Sequence, residues 1–185
     1  IAQQTEESIW NGAGATGDFQ GFMNTNGYLM PTGANADATV TQDAASGAYT
    51  VLNIIDNLQG LTASMATNIS AVLRKDDLHI YMSPKTYALY VSAVSTLGYV
   101  NAYNMNGDYV PMFEGYKIAV CNGMNENELV IAQKSNLFFG TDLLSDKTRI
   151  DLIDMAFTGS DNMRLVARYS AGVQTGTGAD IVRQS

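Results

Sequence analysis

Apolar residues recur at spacings of three and four from Val51 through Ile54, Ile55, Leu58, Leu61, Met65, Ile69, Val72 and Leu73. That period predicts an amphipathic helix with one face in a core, and Gly60 within it predicts a break or kink. The period then shortens. Residues 78–82 have a β-leaning composition, and Ser83-Pro84 behind them supplies an N-cap and a proline at the first helical position. The helix that follows carries Tyr87, Tyr90, Val91, Val94 and Leu97 on one stripe and stops near Gly98. Asn106-Gly107 and Asn122-Gly123 mark turns on either side of a buried strand over residues 115–121. Another strand is expected over 128–132, with a short apolar stretch at 136–140 behind it. From Tyr49 to Asp142 these elements make one compact α/β unit.

The flanks read differently. Residues 1–10 have the character of the middle or end of a helix, closed at Asn11-Gly12, where both residues tolerate the left-handed backbone of a last turn. From there to Ala48 the chain is rich in Gly, Asn, Thr and Ala, with Phe19, Phe22, Tyr28, Leu29 and Met30 as apolar anchors for docking on a core. On the far side, residues 149–155 and 163–169 alternate around the polar stretch 158–162, the pattern of a long antiparallel hairpin. Arg164 and Arg168 fall on one face of its second strand, with Asp151 and Asp154 as cross-strand partners or subunit contacts. A last short strand is expected over 179–183.

Length and charge narrow the function classes. At 185 residues the chain can bury a substantial core without a staple, and its single cysteine, Cys121, excludes an intrachain disulfide and fits a reducing compartment. The net charge of −8 argues against a protein that grips phosphate backbones. No apolar run is long enough to span a bilayer, and no basic stretch precedes an apolar one, so no membrane partner is expected. The chain starts at Ile1 without a methionine, and a preceding segment is expected to be missing.

Candidate chemistry reduces to little. Gly12, Gly14 and Gly17 match the glycine spacing of a dinucleotide loop, but a helix precedes them and none follows, so they are expected to form a flexible joint. His79 is the sole histidine and lies inside an expected strand, as a structural imidazole. Asp142, Asp146, Asp151 and Asp154 do not follow a calcium-loop spacing. Glu6-Glu7, Asp76-Asp77 and the pair Glu126 and Glu128 could in principle serve two-carboxylate hydrolysis, yet exposed placement is the expectation for each. The ten tyrosines and six phenylalanines lack interleaved basic residues and are expected in core and interface packing rather than in nucleic-acid or carbohydrate stacking. No catalytic residue, cofactor or metal site is assigned.

The order of elements resembles the major capsid proteins of tailed phages. Residues 5–12, the glycines to Gly17, and residues 18–22 are similar to the end of that family's long spine helix and the joint behind it. Residues 80–87 are similar to its strand, Ser-Pro and helix, and residues 113–120, 128–132 and 136–142 to its paired strands and the segment after them. Lys117 departs from the pattern, standing where the family usually has proline. The resemblance covers nearly the whole chain through loose motifs in one collinear order.

The resemblance implies an α+β fold with an axial domain over 35–142, a peripheral domain from 1–34 and the hairpin 143–171, and a return to the axial domain over 172–185. It also implies a non-enzymatic structural role: homo-oligomeric hexamers and pentamers tiling an icosahedral shell around double-stranded DNA, in a virion assembled in the host bacterial cytoplasm. With the arm, the extended loop and most of the spine helix placed before Ile1, the chain alone is expected to be monomeric or weakly associated. An encapsulin-type compartment shares that fold and is the nearest alternative. A carboxylate-dependent small-molecule or carbohydrate enzyme is the alternative of a different class.

Overall fold

A computed structural model describes residues 2–15, 18–45, 47–69, 77–98, 110–141, 150–155, 162–167 and 170–185. A six-stranded sheet is formed by β1 (Thr41–Asp43), β2 (Leu78–Met82), β3 (Met112–Phe113), β4 (Tyr116–Val120), β5 (Leu129–Gln133) and β10 (Val182–Gln184), in the order β1-β10-β5-β2-β4-β3. β2 runs parallel to β4 and antiparallel to β5, and β10 runs antiparallel to β5 and parallel to β1. The middle strands read as unbroken apolar runs because both faces of the sheet are covered. Leu78, Ile80, Met82, Leu129 and Ile131 share one core with α2 (Ile54–Asn68) and α3 (Pro84–Thr96). Their alternates Tyr81, Val130 and Ala132 share a second core with Trp10 of α1 (Ala2–Asn11) and with Phe22, Met23 and Leu29.

Ile54, Leu58, Leu61 and Met65 are the buried face of α2, as their spacing requires. Gly60 does not break this helix: it stands within its continuous span, and a Cβ there would find Gln184 and Asp43 at ordinary contact distance. Val72 and Leu73 lie outside the described residues. Ser83 caps α3 as expected, its hydroxyl accepting the Thr86 N–H at 3.2 Å. Leu97 does not continue the buried stripe of α3. It follows the last helical residue, leaves the helical rotation there, and is 61% exposed.

The strand expected as buried over 115–121 is half buried. Among the described residues β4 is covered on its outer side by the two residues of β3 alone; Ile118 is buried while Lys117 and Val120 face solvent. β3 and β4 are joined by Glu114-Gly115, both at positive φ (49° and 87°), a two-residue turn whose twist matches a hairpin. Glu114 is held there because its carboxylate accepts the Thr62 hydroxyl of α2 at 2.8 Å.

Around Gly12 and Gly21 the described residues after α1 form a close-packed clasp rather than the expected flexible joint, and Gly17 lies outside the described residues. A helix ends with four carbonyls lacking helical partners. Here Gly12 N–H donates to Ser8 O at 3.0 Å, Phe22 N–H to Ile9 O at 2.9 Å, Met23 N–H to Trp10 O at 2.6 Å, and the Asn24 amide to Asn11 O at 3.3 Å. A Cβ on Gly12 would fall 2.0 Å from Phe19 O, and one on Gly21 2.6 Å from Gly12 N, so only glycine lets the returning chain lie this close.

Two antiparallel ribbons complete the described chain: β6 (Leu137–Thr141) with β9 (Ala171–Thr175), and β7 (Ile150–Asp154) with β8 (Met163–Ala167). The second is the expected hairpin. Of the strand expected over 179–183, the first part is a 3₁₀ turn, Gly178–Asp180, and β10 begins at Val182.

Candidate functional site

The features that stand apart from this architecture are apolar side chains left on its surface. In the β7–β8 hairpin Leu152 and Leu165 are direct cross-strand partners, and they are 63% and 62% exposed. Met163, on the same face by strand alternation, is 68% exposed, and Ile153 on the other face is 41% exposed. A two-stranded ribbon is marginally stable in water by itself. Leucines at such positions gain little for the isolated hairpin and offer a contact surface.

The hairpin also carries the charged residues singled out in the sequence. Its register sets Asp151 opposite Val166, Ile153 opposite Arg164, and Asp154 opposite Met163. Asp151 therefore shares a face with Arg164 as a diagonal neighbour, while Asp154 lies on the leucine face. Arg168 lies outside the described residues, as do Asp142 and Asp146.

The β6–β9 ribbon has one face inward and one outward. Val173 is buried, and Phe139 stacks at a tilt on Phe19 with ring centroids 6.1 Å apart. The opposite face presents Phe138, 55% exposed, and the directly paired glycines Gly140 and Gly172, around which a Cβ would meet nothing within 4 Å. The aromatic residues of 136–140 are thus a surface rather than an addition to the core.

The ribbon leaves the sheet through a braced corner. β5 and β10 pair with Ile131 opposite Val182, and β6 and β9 with Leu137 opposite Thr175, so one strand advances six residues while the other retreats seven. At this one-residue offset the 3₁₀ turn Lys134–Asn136 lies against Thr177. The Asn136 side chain accepts the Thr177 N–H at 2.7 Å and donates to Thr177 O at 2.8 Å, while Asn136 O accepts Gly176 N–H at 3.0 Å. Asp77 fastens the other side, accepting the Gln133 amide at 3.3 Å and the Ser135 N–H and hydroxyl at 3.3 and 2.5 Å. The sequence assigns Asn136 no role, and Asp77, expected to be an exposed carboxylate, is instead half-buried and braces this corner, while Asp76 lies outside the described residues.

The remaining candidates are structural. His79 Nδ1 lies 2.5 Å from the backbone carbonyl of Asp77, and the ring stands beside Tyr81. Burial, with the Glu6 carboxylate adding to it, pushes the Cys121 thiol up to about 11, which keeps it protonated and unreactive. Glu128, expected to be exposed, is instead mostly buried and pairs with Arg183 at 3.1 Å, because β10 inserts beside β5 and brings the guanidinium to it. Glu126 meets Lys85 at the surface. Glu6 accepts the Asn122 N–H at 2.8 Å, so α1 grips the turn before β5. Beside that contact runs a shallow polar groove in which Glu7 is the one carboxylate, among Gln3, Asn11 and residues 122–125. Among the described residues no three His, Cys, Asp or Glu side chains cluster to hold a metal ion, and no helix is long and apolar enough to cross a membrane.

No protein-family model and no curated protein matches the sequence. Solved structures do match. A protein of Mycobacterium phage Che8 aligns over 79% of this chain and 53% of its own, with a TM-score of 0.58 and 10% identity. The capsid asymmetric unit of cyanophage A-1(L) aligns over 97% of this chain and 64% of its own, at 0.55 and 10% identity. The virus-like particle from Pyrococcus furiosus aligns over 81% and 56%, at 0.50 and 16% identity. This chain therefore has the α+β fold of phage capsid proteins, and it spans between half and two thirds of the length of these neighbours.

Proposed function

We propose that this chain is the shell-forming part of a tailed-phage or prophage major capsid protein, which joins copies of itself into the hexamers and pentamers of an icosahedral shell around double-stranded DNA. The observation that carries this is a capsid-type fold whose β6–β9 and β7–β8 ribbons leave Phe138, Leu152, Met163 and Leu165 exposed. Side chains of this kind are costly on a protein that works alone and useful on one that is tiled. The division of labour follows the two parts. Residues 35–142 and 172–185 form the axial unit, and residues 1–34 with the hairpin of 143–171 form the peripheral one. Asp151, Asp154, Arg164 and Arg168 are subunit-contact candidates. The charge of −8 suits a wall that encloses DNA without adhering to it or reading it, in a virion assembled in the host bacterial cytoplasm.

A second reading, a compartment of the encapsulin type, is favoured by the likeness to the Pyrococcus virus-like particle. The test is electron microscopy and light scattering of the full-length protein, followed by analysis of particle contents. Closed particles with nuclease-protected DNA from an infected or induced host support the capsid, and closed particles filled with protein support the compartment. A full-length protein that stays monomeric under all assembly conditions overturns both.

A further inference from the structure

We propose that Asn136 is the positioning residue that fixes the angle at which the β6–β9 ribbon leaves the sheet, and that this angle sets the curvature of the shell. The inference rests on the shell reading and goes beyond it by naming what controls shell size.

The physical case begins with the corner. Where an antiparallel ladder slips by one residue, the backbone groups at the slip lose their partners and the strands bend, as at a β-bulge. Thr177 is at that slip: the Asn136 amide accepts its N–H, which has no backbone partner there, and donates to its carbonyl, which also accepts the Asp180 N–H at 3.2 Å. Asparagine is suited to this. It offers a donor and an acceptor on one methylene, whereas aspartate has no donor and alanine has neither. Asn136 is 8% exposed, so these bonds are shielded from competing water.

Neighbouring contacts brace the same point. A Cβ on Gly176 would come 2.7 Å from Asn136 Oδ1 and 3.0 Å from a ring carbon of Phe138, and one on Gly178 would come 2.1 Å from Asp37 Oδ2. The returning strand is seated against Asn136 with no room to spare. Beyond the corner the ribbon is a lever: five strand residues extend roughly 17 Å, so a tilt of about 10° at the corner moves the far end by about 3 Å. A displacement of that size separates packed apolar surfaces. Phe138, next to the corner, moves less; carried farthest are the paired Gly140 and Gly172 and the paired Thr141 and Ala171 at the outer end of the ribbon.

The experiment uses the full-length protein. Asn136→Asp keeps the shape, removes the donor and sets a carboxylate against the Thr177 carbonyl; Asn136→Ala removes both bonds. Thr177→Val is the control, because the bonds go to its backbone. Both Asn136 variants are expected to fold, by circular dichroism and cooperative denaturation. The yield of particles of wild-type diameter should nonetheless fall at least tenfold, replaced by particles of mixed diameter or open sheets, while Thr177→Val assembles normally. Wild-type diameters at undiminished yield from both Asn136 variants overturn the proposal.

Should the variants not fold, amide exchange in unassembled wild-type subunits decides. The Thr177 and Gly176 amides should be protected at least ~10-fold beyond exposed loop amides, and loop-like exchange overturns the proposal. If wild-type protein forms no particles while these amides are protected, the shell reading fails and the braced corner stands.

Discussion

The central sheet and the β7–β8 hairpin are both built from strands rich in Leu, Ile and Val, yet they use those residues in opposite ways. In the sheet, Leu129, Val130, Ile131 and Ala132 are all fully buried, because helices lie on one face and the α1 clasp on the other. In the hairpin, Leu152 and Leu165 face each other across the strands and both stay more than half exposed. Folding one subunit consumes the first set and leaves the second. Stability and assembly should therefore respond to different substitutions.

The largest separation is expected from the core. Ile131→Ala leaves a cavity between the sheet and α2, and should lower unfolding stability by about 3–4 kcal/mol in denaturant titration. Next comes the buried ion pair. Arg183→Met removes the partner of Glu128 and the donor to Gln42, and should cost about 3 kcal/mol, because a carboxylate is left uncompensated in the interior. The double variant Leu152→Ser with Leu165→Ser should change subunit stability by no more than about 0.5 kcal/mol. Particle yield from the full-length protein should still fall steeply, and assembly at the wild-type level would erase the contrast between the two regions.

The smallest effect concerns the clasp. Burial acts to raise the Asp18 carboxyl, but the Ser8 hydroxyl and the N–H groups of Ala13 and Phe19 outweigh it and hold the pKa below the usual 3.8. A depressed folded-state value gives stability that is present above pH 3.8 and lost as pH falls through the lower folded value. Denaturation midpoints of Asp18→Asn should accordingly show a shallower decline below that pH than wild type, and parallel curves would remove Asp18 from the clasp.

Much of the sheet was legible in the sequence, because its signals are local. The Ser83-Pro84 cap, the spacing of Ile54 to Met65 and the Asn122-Gly123 turn each announce themselves within a few residues. The corner was not legible, since Asn136 and Thr177 are 41 positions apart and nothing near either one names the other. Glu128 misled for the same reason: its burial depends on Arg183, 55 residues on. The hairpin illustrates a different limit. Periodicity shows that two apolar faces exist, but a covering element decides which becomes interior, and for Leu152 and Leu165 no such element lies within the described residues.

The place of β10 in the sheet has a consequence for how the protein is made. β1 finds its strand partner in β10, and the side chains that lock them, Gln42 to Arg183 and Asp43 to Gln184, are 141 residues apart. At ordinary translation rates that interval is roughly 7–28 seconds. During that time the early part of each nascent chain holds Leu29, Val40 and the face of α2 without their final neighbours. A protein produced in many copies at once would pass through this half-built state in bulk. Its yield of sound chains would then depend on how well chaperones shelter those still awaiting β10.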